Sequence, residues 1–129
     1  MEQRPVNPWT WQDNFGFSQA IEFSGHSRVL VCAGQTSVDE NGAPQHTGDM
    51  AAQVDQAMTN LEAVLAKAGM DLSNIVRMNL YTTDVDKFMQ GFAPIMQHMK
   101  GHRPASTLLG VARLAFPELM VEIEATAVA

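Results

Sequence analysis

The sequence predicts a single α+β domain, built on one mixed β-sheet with two helices on one face. The predicted elements follow the order strand, strand, helix, strand, helix, strand, strand. Strands joined through helices require right-handed crossovers, which place both helices on the same side of the sheet. The chain has 129 residues, 46% of them hydrophobic, which suffices for one core and is too short for two. No third helix is predicted to cover the other sheet face, so an oligomer with sheet-to-sheet contact between subunits is expected.

Residues 1–14 are predicted to form an extended arm, because prolines and tryptophans occur there without periodicity. Trp9 and Trp11 stand two positions apart, so in an extended segment both rings would point to the same side. There they could cover a pocket or pack on a neighbouring subunit. Packing of the arm on its own domain is the alternative.

The first two strands are predicted at residues 17–23 and 28–33, and the Ser-Gly-His-Ser turn between them suits a hairpin. Gly34 directly follows the second strand. Its missing side chain would permit close approach of a ligand, and a bulge or a tight bend explains a glycine at a strand end equally well.

A long helix is predicted after Asp49, a good N-cap, because apolar residues recur at helical spacing for about five turns until Gly69 ends the helix. A strand follows at residues 75–82. The second helix is predicted to begin after Asp84. It contains Pro94, which lacks a backbone donor, so this helix should kink or split nearby, at about Gly91.

The last two strands are predicted at residues 106–112 and 119–128. The first is a nearly unbroken run of small and apolar residues, which is typical of a strand with both faces covered. The second alternates, so Glu122 and Glu124 point to one face and the apolar residues point to the other.

Composition disfavours several classes of partner. The chain has 14 acidic and 8 basic residues and no basic cluster, so nucleic acid is not an expected partner. No apolar run approaches the roughly 18 to 20 residues that span a bilayer, and no leader precedes the first strand, so no membrane partner is expected and the cytoplasm is the predicted location. The histidines show no metal-ligand spacing, so no metal is predicted, and the single Cys32 is interpreted as a buried, inert thiol.

Four segments of the chain resemble the Rid family, also called the YjgF/YER057c family. They are the Ala-Gly-Gln strand end at 33–35, the helix sequence DMAAQVDQAMTNLEAVLAKAG, the segment RMNLYTTDVDKF, and the ending RPAST…GVARL…VEIEATAVA. The resemblance covers nearly the whole chain, 1–129. It implies a chorismate-mutase-like fold and a homotrimer whose sheets form a central barrel, with small-molecule ligands in the clefts between subunits. It also implies hydrolysis of reactive enamines and imines to ketones and ammonia, without a metal or an organic cofactor.

One position departs from the deaminating branch of that family. In that branch an arginine directly follows a Pro-Ala pair and binds the substrate carboxylate, a geometry that suits a guanidinium. In this chain Ser106 follows Pro104-Ala105, so the arginine is missing from its usual place. Arg103 could reach the same cleft from three residues earlier, or could belong to the surface or an interface. His102 beside it is predicted to lie at the mouth of the cleft.

Other matched positions make the implied pocket more apolar. The family's site tyrosine corresponds to Phe17, its hydroxyl-bearing residue before Gly-Gln corresponds to Ala33, and its asparagine on the second helix corresponds to Phe92. The resemblance therefore implies a substrate-binding site that has lost several hydrogen-bonding groups.

The carboxylate of the family site is retained. Glu122 matches the water-activating glutamate, and Gly34 and Leu108 match positions whose backbone groups hold that water or the substrate nitrogen. A glutamate in an apolar cleft can have a raised pKa, which suits acid or base catalysis near neutrality. The alternative is that Glu122 and Glu124 are ordinary polar residues on a solvated or interface face.

Three functions follow from these observations. The first is a Rid-type deaminase in which Glu122 activates water. The second is a non-catalytic trimer that binds a small apolar metabolite through Phe17, Phe92 and the tryptophans, which the missing arginine favours. The third is RNA cleavage, which the acidic charge balance disfavours.

Overall fold

A computed structural model describes residues 1–129. The strands are β1 (Glu2–Val6), β2 (Ala20–Ser24), β3 (Val29–Val31), β4 (Ile75–Thr82), β5 (Ala105–Gly110) and β6 (Val121–Val128). The helices are α1 (Met50–Lys67), α2 (Val85–Gly91) and α3 (Ala93–Met99), with short 3-10 helices at Trp11–Phe15 and Leu72–Asn74. None of the helices combines the length and the apolar character needed to cross a membrane.

The main sheet is mixed, as predicted. Its four strands lie in the order β3-β6-β4-β5, with β4 and β5 parallel and the other neighbours antiparallel. The prediction that all strands form one sheet was wrong, because β1 and β2 pair with each other as a separate two-stranded sheet. A single bridge between Ser18 and Ala105 connects the segment before β2 to the edge of the main sheet.

The predicted hairpin between residues 17–23 and 28–33 was also wrong. The chain of β2 turns back onto β1, while β3 pairs with the C-terminal end of β6. The turn after β2 leads to Ser27 and Arg28, whose amides both donate to the carbonyl of Ala129. The hydrogen bonds of β3 are therefore satisfied by the far end of the chain, a non-local partner that turn chemistry does not reveal.

The N-terminal segment 1–14 is only partly the predicted extended arm. Its first residues are extended as β1, where Pro5 is tolerated because β1 has one neighbour only. Residues from Trp11 onward form a 3-10 helix instead, so Trp9 and Trp11 do not share one side of an extended strand. The ring of Trp11 packs edge-on against Phe15 and Phe17 of its own chain.

The helices follow the sequence pattern closely. Asp49 caps α1 by accepting a hydrogen bond from the amide of Ala52 at 3.1 Å. The second predicted helix is split into α2 and α3, with Pro94 in the first turn of α3. The main helical segments therefore number three, and the split confirms the effect predicted for Pro94.

The core lies between these helices and one face of the main sheet, called the inner face. Met78, Val121 and Ile123 of the sheet pack there against Val54 and Leu61 of α1, and all five are at most 1% exposed. The alternation predicted for residues 119–128 is confirmed, since the apolar members are buried and the glutamates are not.

The opposite, outer face of the sheet is open in a single chain. Val31 and Leu109 on this face are 78% and 52% exposed. Both faces of the strand predicted at residues 106–112 were expected to be covered, but a single chain covers only the inner face. The strand itself ends at Gly110. The expectation that another copy covers the outer face stays a prediction.

Candidate functional site

The predicted site residues lie on opposite faces of the main sheet. Ser106 and Leu108 are register partners of Met78 and Leu80, and all four line a cavity on the inner face. Glu122 is the partner of Tyr81 and points to the outer face, because its neighbours in β6 are buried in the core. One chain therefore does not bring the cavity and the candidate catalytic carboxylate together.

The inner-face cavity, here called the apolar cavity, has a volume of about 300 Å³. Of its 14 lining residues 11 are hydrophobic, and none is charged. One wall is the aromatic group that precedes β2, in which the rings of Trp11 and Phe17 are 5.8 Å apart and edge-on. Another part of the lining comes from the α2–α3 segment, where Phe88 and Phe92 stack at 6.1 Å. The predicted residues Phe17, Phe92, Ser106 and Leu108 thus share one pocket.

Ser106 supplies the only hydroxyl in this cavity. It donates a long hydrogen bond of 3.3 Å to the carbonyl of Pro104, the residue just before β5. Its position, inward on the second residue of β5, is where a longer cationic side chain would project into the cavity.

Arg103 lies outside the lining of the apolar cavity. Its guanidinium Nη1 is 3.8 Å from a carboxylate oxygen of Asp13, and the side chain is 42% exposed. It lines a separate polar groove at the end of β1, and its carbonyl accepts a hydrogen bond from the hydroxyl of Ser18. His102 hydrogen-bonds through Nε2 to the carbonyl of Ile75 and lines the same groove. Their predicted contacts with a ligand remain untested.

On the outer face, Glu122 lies against a bulge formed by Ala33 and Gly34. The amide of Cys32 donates to the carbonyl of Ala125, and Gln35 exchanges both backbone hydrogen bonds with Ile123. Two residues on one strand therefore oppose Glu124 alone on the other, which defines a β-bulge. The sequence left a ligand contact, a bulge and a tight bend as explanations for the glycine at position 34. The structure has a bulge there, and within it Gly34 lies close to the side chain of Glu122.

Glu122 is a half-buried carboxyl without a hydrogen-bond donor. Burial raises its pKa, and the negative charge of Glu124 raises the pKa further. No hydrogen bond counteracts these two effects. A raised pKa makes the carboxylate a stronger base than an ordinary glutamate, which is the direction that a general base requires.

Glu124, two residues away on the same face, is held by two donors. The hydroxyl of Tyr81 and the amide of Asn79 both donate to the same oxygen of Glu124, at 2.5 Å and 3.0 Å. The bond to Glu124 raises the pKa of Tyr81. These contacts make Glu124 a structural residue and leave Glu122 as the free carboxylate.

Asn79 and Tyr81 were not predicted as site residues from the sequence. A signal was present, because the period of two in β4 puts Arg77, Asn79 and Tyr81 on the face opposite to Met78. That face is shared with Glu122 and Glu124 once β4 and β6 pair, but the pairing itself could not be read from the pattern.

Cys32 is 6% exposed, and burial raises the pKa of its thiol. A protonated, buried thiol is a weak nucleophile. The interpretation of Cys32 as an inert core residue therefore fits its surroundings.

Residues 12–129 match the family model described as Endoribonuclease L-PSP. Among solved structures, the Yersinia pestis protein YyfB, titled a protein of unknown function of the conserved Rid protein family, is 36% identical with a TM-score of 0.89, and the alignment covers 100% of both chains. The Myxococcus xanthus protein DfrA is 32% identical over 87% of this chain and 84% of its own. A human protein named 2-iminobutanoate/2-iminopropanoate deaminase is 29% identical over 87% of this chain and 79% of its own.

Proposed function

The chain belongs to the Rid family, and from this membership and the state of Glu122 we propose that it hydrolyses reactive imines or enamines of small metabolites. Glu122 is proposed to activate the attacking water. The family resemblance implies that this reaction uses neither a metal nor an organic cofactor.

The observation that carries this proposal is the contrast between two carboxylates on one strand. Glu124 accepts two hydrogen bonds, whereas Glu122 has none and has a raised pKa next to the backbone of Gly34. A structural carboxylate would gain stability from donors like those of Glu124. A carboxylate left without them retains its capacity to take up a proton.

The proposed reaction adds water across a carbon–nitrogen double bond. Glu122 takes a proton from water while the water oxygen bonds to the imine carbon, and the π electrons move to nitrogen, which takes up that proton from Glu122. The resulting carbinolamine collapses to a carbonyl compound when its hydroxyl proton is transferred to nitrogen and the carbon–nitrogen bond breaks, which releases ammonia. An enamine first tautomerises to the imine. General-base assistance of this kind is worth roughly 10²- to 10⁴-fold in rate.

We also propose that the site is completed between subunits of a homotrimer with a chorismate-mutase-like fold and a central barrel of three sheets. The geometry supports this, because the apolar cavity and Glu122 face opposite sides of one sheet. A neighbouring copy whose outer face meets the rim of the cavity would bring them to one cleft. Exposed Val31 and Leu109 would be buried by the same contact.

The substrates in the name of the human relative are 2-imino acids. We do not propose them as substrates of this chain. Those compounds bear a carboxylate, and in this chain Ser106 stands where the deaminating branch has its arginine. The apolar cavity that contains Ser106 has no charged residue. We therefore propose weak or absent turnover of 2-iminopropanoate.

A second candidate is a non-catalytic trimer that binds a small apolar metabolite. The cavity of about 300 Å³ with hydrophobic walls favours it. RNA cleavage, the activity in the family model's description, receives less support, because the net charge is −6 and a polyanion needs a basic surface.

Ammonia release separates the first two candidates. Freshly generated imines and enamines, with and without a carboxylate, are incubated with wild-type protein and with Glu122→Gln. The deaminase proposal expects release above the uncatalysed rate for part of the panel and its loss in the variant. Ammonia release at the uncatalysed rate across the panel would favour the binding protein.

A further inference from the structure

We propose that the natural substrate is an imine or enamine of an apolar primary amine, with an aromatic ring or a hydrocarbon group of similar size and no carboxylate on the reactive carbon. This inference rests on the proposed function, because it assigns the apolar cavity to the substituent of the compound that is hydrolysed. The proposed function leaves the substituent on the imine open, and the apolar cavity assigns its chemical class.

The size of the cavity sets the first limit. A dry apolar cavity of about 150 Å³ is sufficient to hold benzene. The cavity here is about 300 Å³, so it holds a ring together with a short carbon chain that reaches the opening. A one- or two-carbon substituent would leave most of the walls without contacts.

The chemistry of the walls sets the second limit. No charged residue lines the cavity, and the nearby Arg103 is directed to Asp13 in the polar groove. A carboxylate that entered the cavity would lose its water without gaining a cation. Each methylene that enters it instead strengthens binding by about fourfold.

The shape of the walls favours a planar group. The lining of the cavity includes the Trp11–Phe17 aromatic group and the stacked pair Phe88 and Phe92. Aromatic rings prefer edge-to-face or offset contacts with other rings. A ring in the cavity would find such partners among these side chains.

The reaction then converts R–CH=NH and water into R–CHO and ammonia, in which nothing is oxidised or reduced. The imine of a primary amine arises by two-electron oxidation of the carbon–nitrogen bond. An amine-oxidising reaction is therefore the class that would supply this substrate.

The direct test compares two imines that differ only in the carboxylate. Phenylacetaldimine is generated from 2-phenylethylamine by a flavin amine oxidase, and 2-imino-3-phenylpropanoate is generated from phenylalanine by a flavin amino-acid oxidase. We expect wild-type protein to prefer the carboxylate-free imine by at least about 30-fold in kcat/KM, since a buried carboxylate would lack a partner. Equal turnover, or preference for the imino acid, would overturn the inference.

A binding measurement separates this inference from the proposed catalysis. Phenylacetone and phenylpyruvate carry the same ring, and neither is hydrolysed. Calorimetry or NMR titration of wild-type protein should give binding of phenylacetone at least about tenfold tighter. That preference without hydrolysis of any imine would support the ligand class and reject the Glu122 mechanism. Equal or reversed affinities would reject the ligand class.

Ser106→Arg introduces a guanidinium into the cavity and should shift the kcat/KM ratio toward the imino acid by at least about tenfold. Gln90→Arg is the matched control, because Gln90 is exposed on α2 and does not line the cavity. It should leave the ratio within about twofold. If Ser106→Arg folds, as judged by circular dichroism, and leaves the ratio unchanged, the assignment of this cavity is wrong. If it does not fold, the two wild-type comparisons decide.

Discussion

A Cβ atom on Gly34 would lie 2.5 Å from the carboxyl carbon of Glu122 and 2.6 Å from one of its oxygens. No side chain fits there while the carboxyl keeps its position. Gly34 does not have a left-handed backbone, so conformation alone does not require glycine. The glycine instead lets the bulge beside β6 approach the one carboxylate on this face that has no donor.

Gly34→Ala is expected to displace the Glu122 carboxyl while the fold is retained. The imine hydrolysis rate should fall by roughly 10- to 100-fold, because the methyl group occupies the space of the proposed base and misplacement by about 1 Å is enough for such a loss. The measurement is steady-state ammonia release beside a thermal unfolding curve.

A double variant tests whether Gly34→Ala lowers the rate through its effect on Glu122. In the double variant Gly34→Ala/Glu122→Gln, the alanine should add little to the loss caused by Gln. Fully multiplicative losses would mean that Gly34 acts on the reaction independently of Glu122.

Glu122→Gln should lower the rate of the chemical step by roughly 10²- to 10⁴-fold, because the amide keeps the size of the side chain and removes the basic oxygen. Glu124→Gln should retain most of the neutral-pH rate, since a glutamine oxygen can still accept from Tyr81 and Asn79. Single-turnover kinetics of both variants test this contrast. Unchanged ammonia release by Glu122→Gln would remove this residue from the mechanism.

The pH dependence of the rate gives an independent readout of the same pair. Burial and then the charge of Glu124 raise the pKa of Glu122, so the acidic limb of the pH–rate profile should lie above that of an ordinary glutamate. Glu124→Gln removes the repulsive charge, and the limb should move to lower pH. A limb that stays in place would show that another group controls it.

Much of the fold was readable from local patterns. The cap at Asp49, the split at Pro94 and the alternation around Glu122 depend on residues within a turn or a strand, and each was predicted correctly. The pairing of β1 with β2, and of β3 with the end of β6, was not, because strand pairing is set by contacts distant in sequence.

The candidate site shows the same difference between features set by local sequence and features set by strand pairing. The resemblance to the Rid family matched Phe17, Phe92 and Leu108 to positions of the ligand site, and these residues do meet in one cavity. Their separation from Glu122 depends on which side of the paired strands each residue faces. The role of Asn79 and Tyr81 as donors to Glu124 depends on the same pairing, which is why the sequence did not reveal it.

His98 joins two helices through carboxylates, and this should make stability depend on pH. Its ring nitrogens lie 2.7 Å from Asp55 and 2.7 Å from Glu62 of α1. Burial alone would lower the pKa of His98, but the hydrogen bonds that its ring donates to Glu62 and Asp55 outweigh burial and raise the pKa. A raised pKa means that this stabilisation is full below the unfolded value of about 6.5 and is lost as pH rises through the folded value.

The measurement is the free energy of unfolding of wild type and His98→Gln between pH 5 and pH 9, values chosen to bracket that transition. The difference between the two proteins should be largest at the acidic end and shrink toward the alkaline end. A difference that is constant with pH would show that His98 acts by packing alone.

The proposed trimer predicts a solution mass near three times the 14.1 kDa of one chain. Leu109 is 52% exposed on the outer face of β5, so Leu109→Glu would place a carboxylate in the proposed contact and should dissociate the assembly. Ala63→Glu is the control, because Ala63 is exposed on α1, which does not line the apolar cavity. Sedimentation equilibrium should give a trimer for wild type and Ala63→Glu and monomers for Leu109→Glu. Imine hydrolysis should be lost with the trimer, because one chain holds the cavity and Glu122 on opposite faces. A wild-type protein that is active and monomeric at micromolar concentration would contradict both the assembly and the shared site.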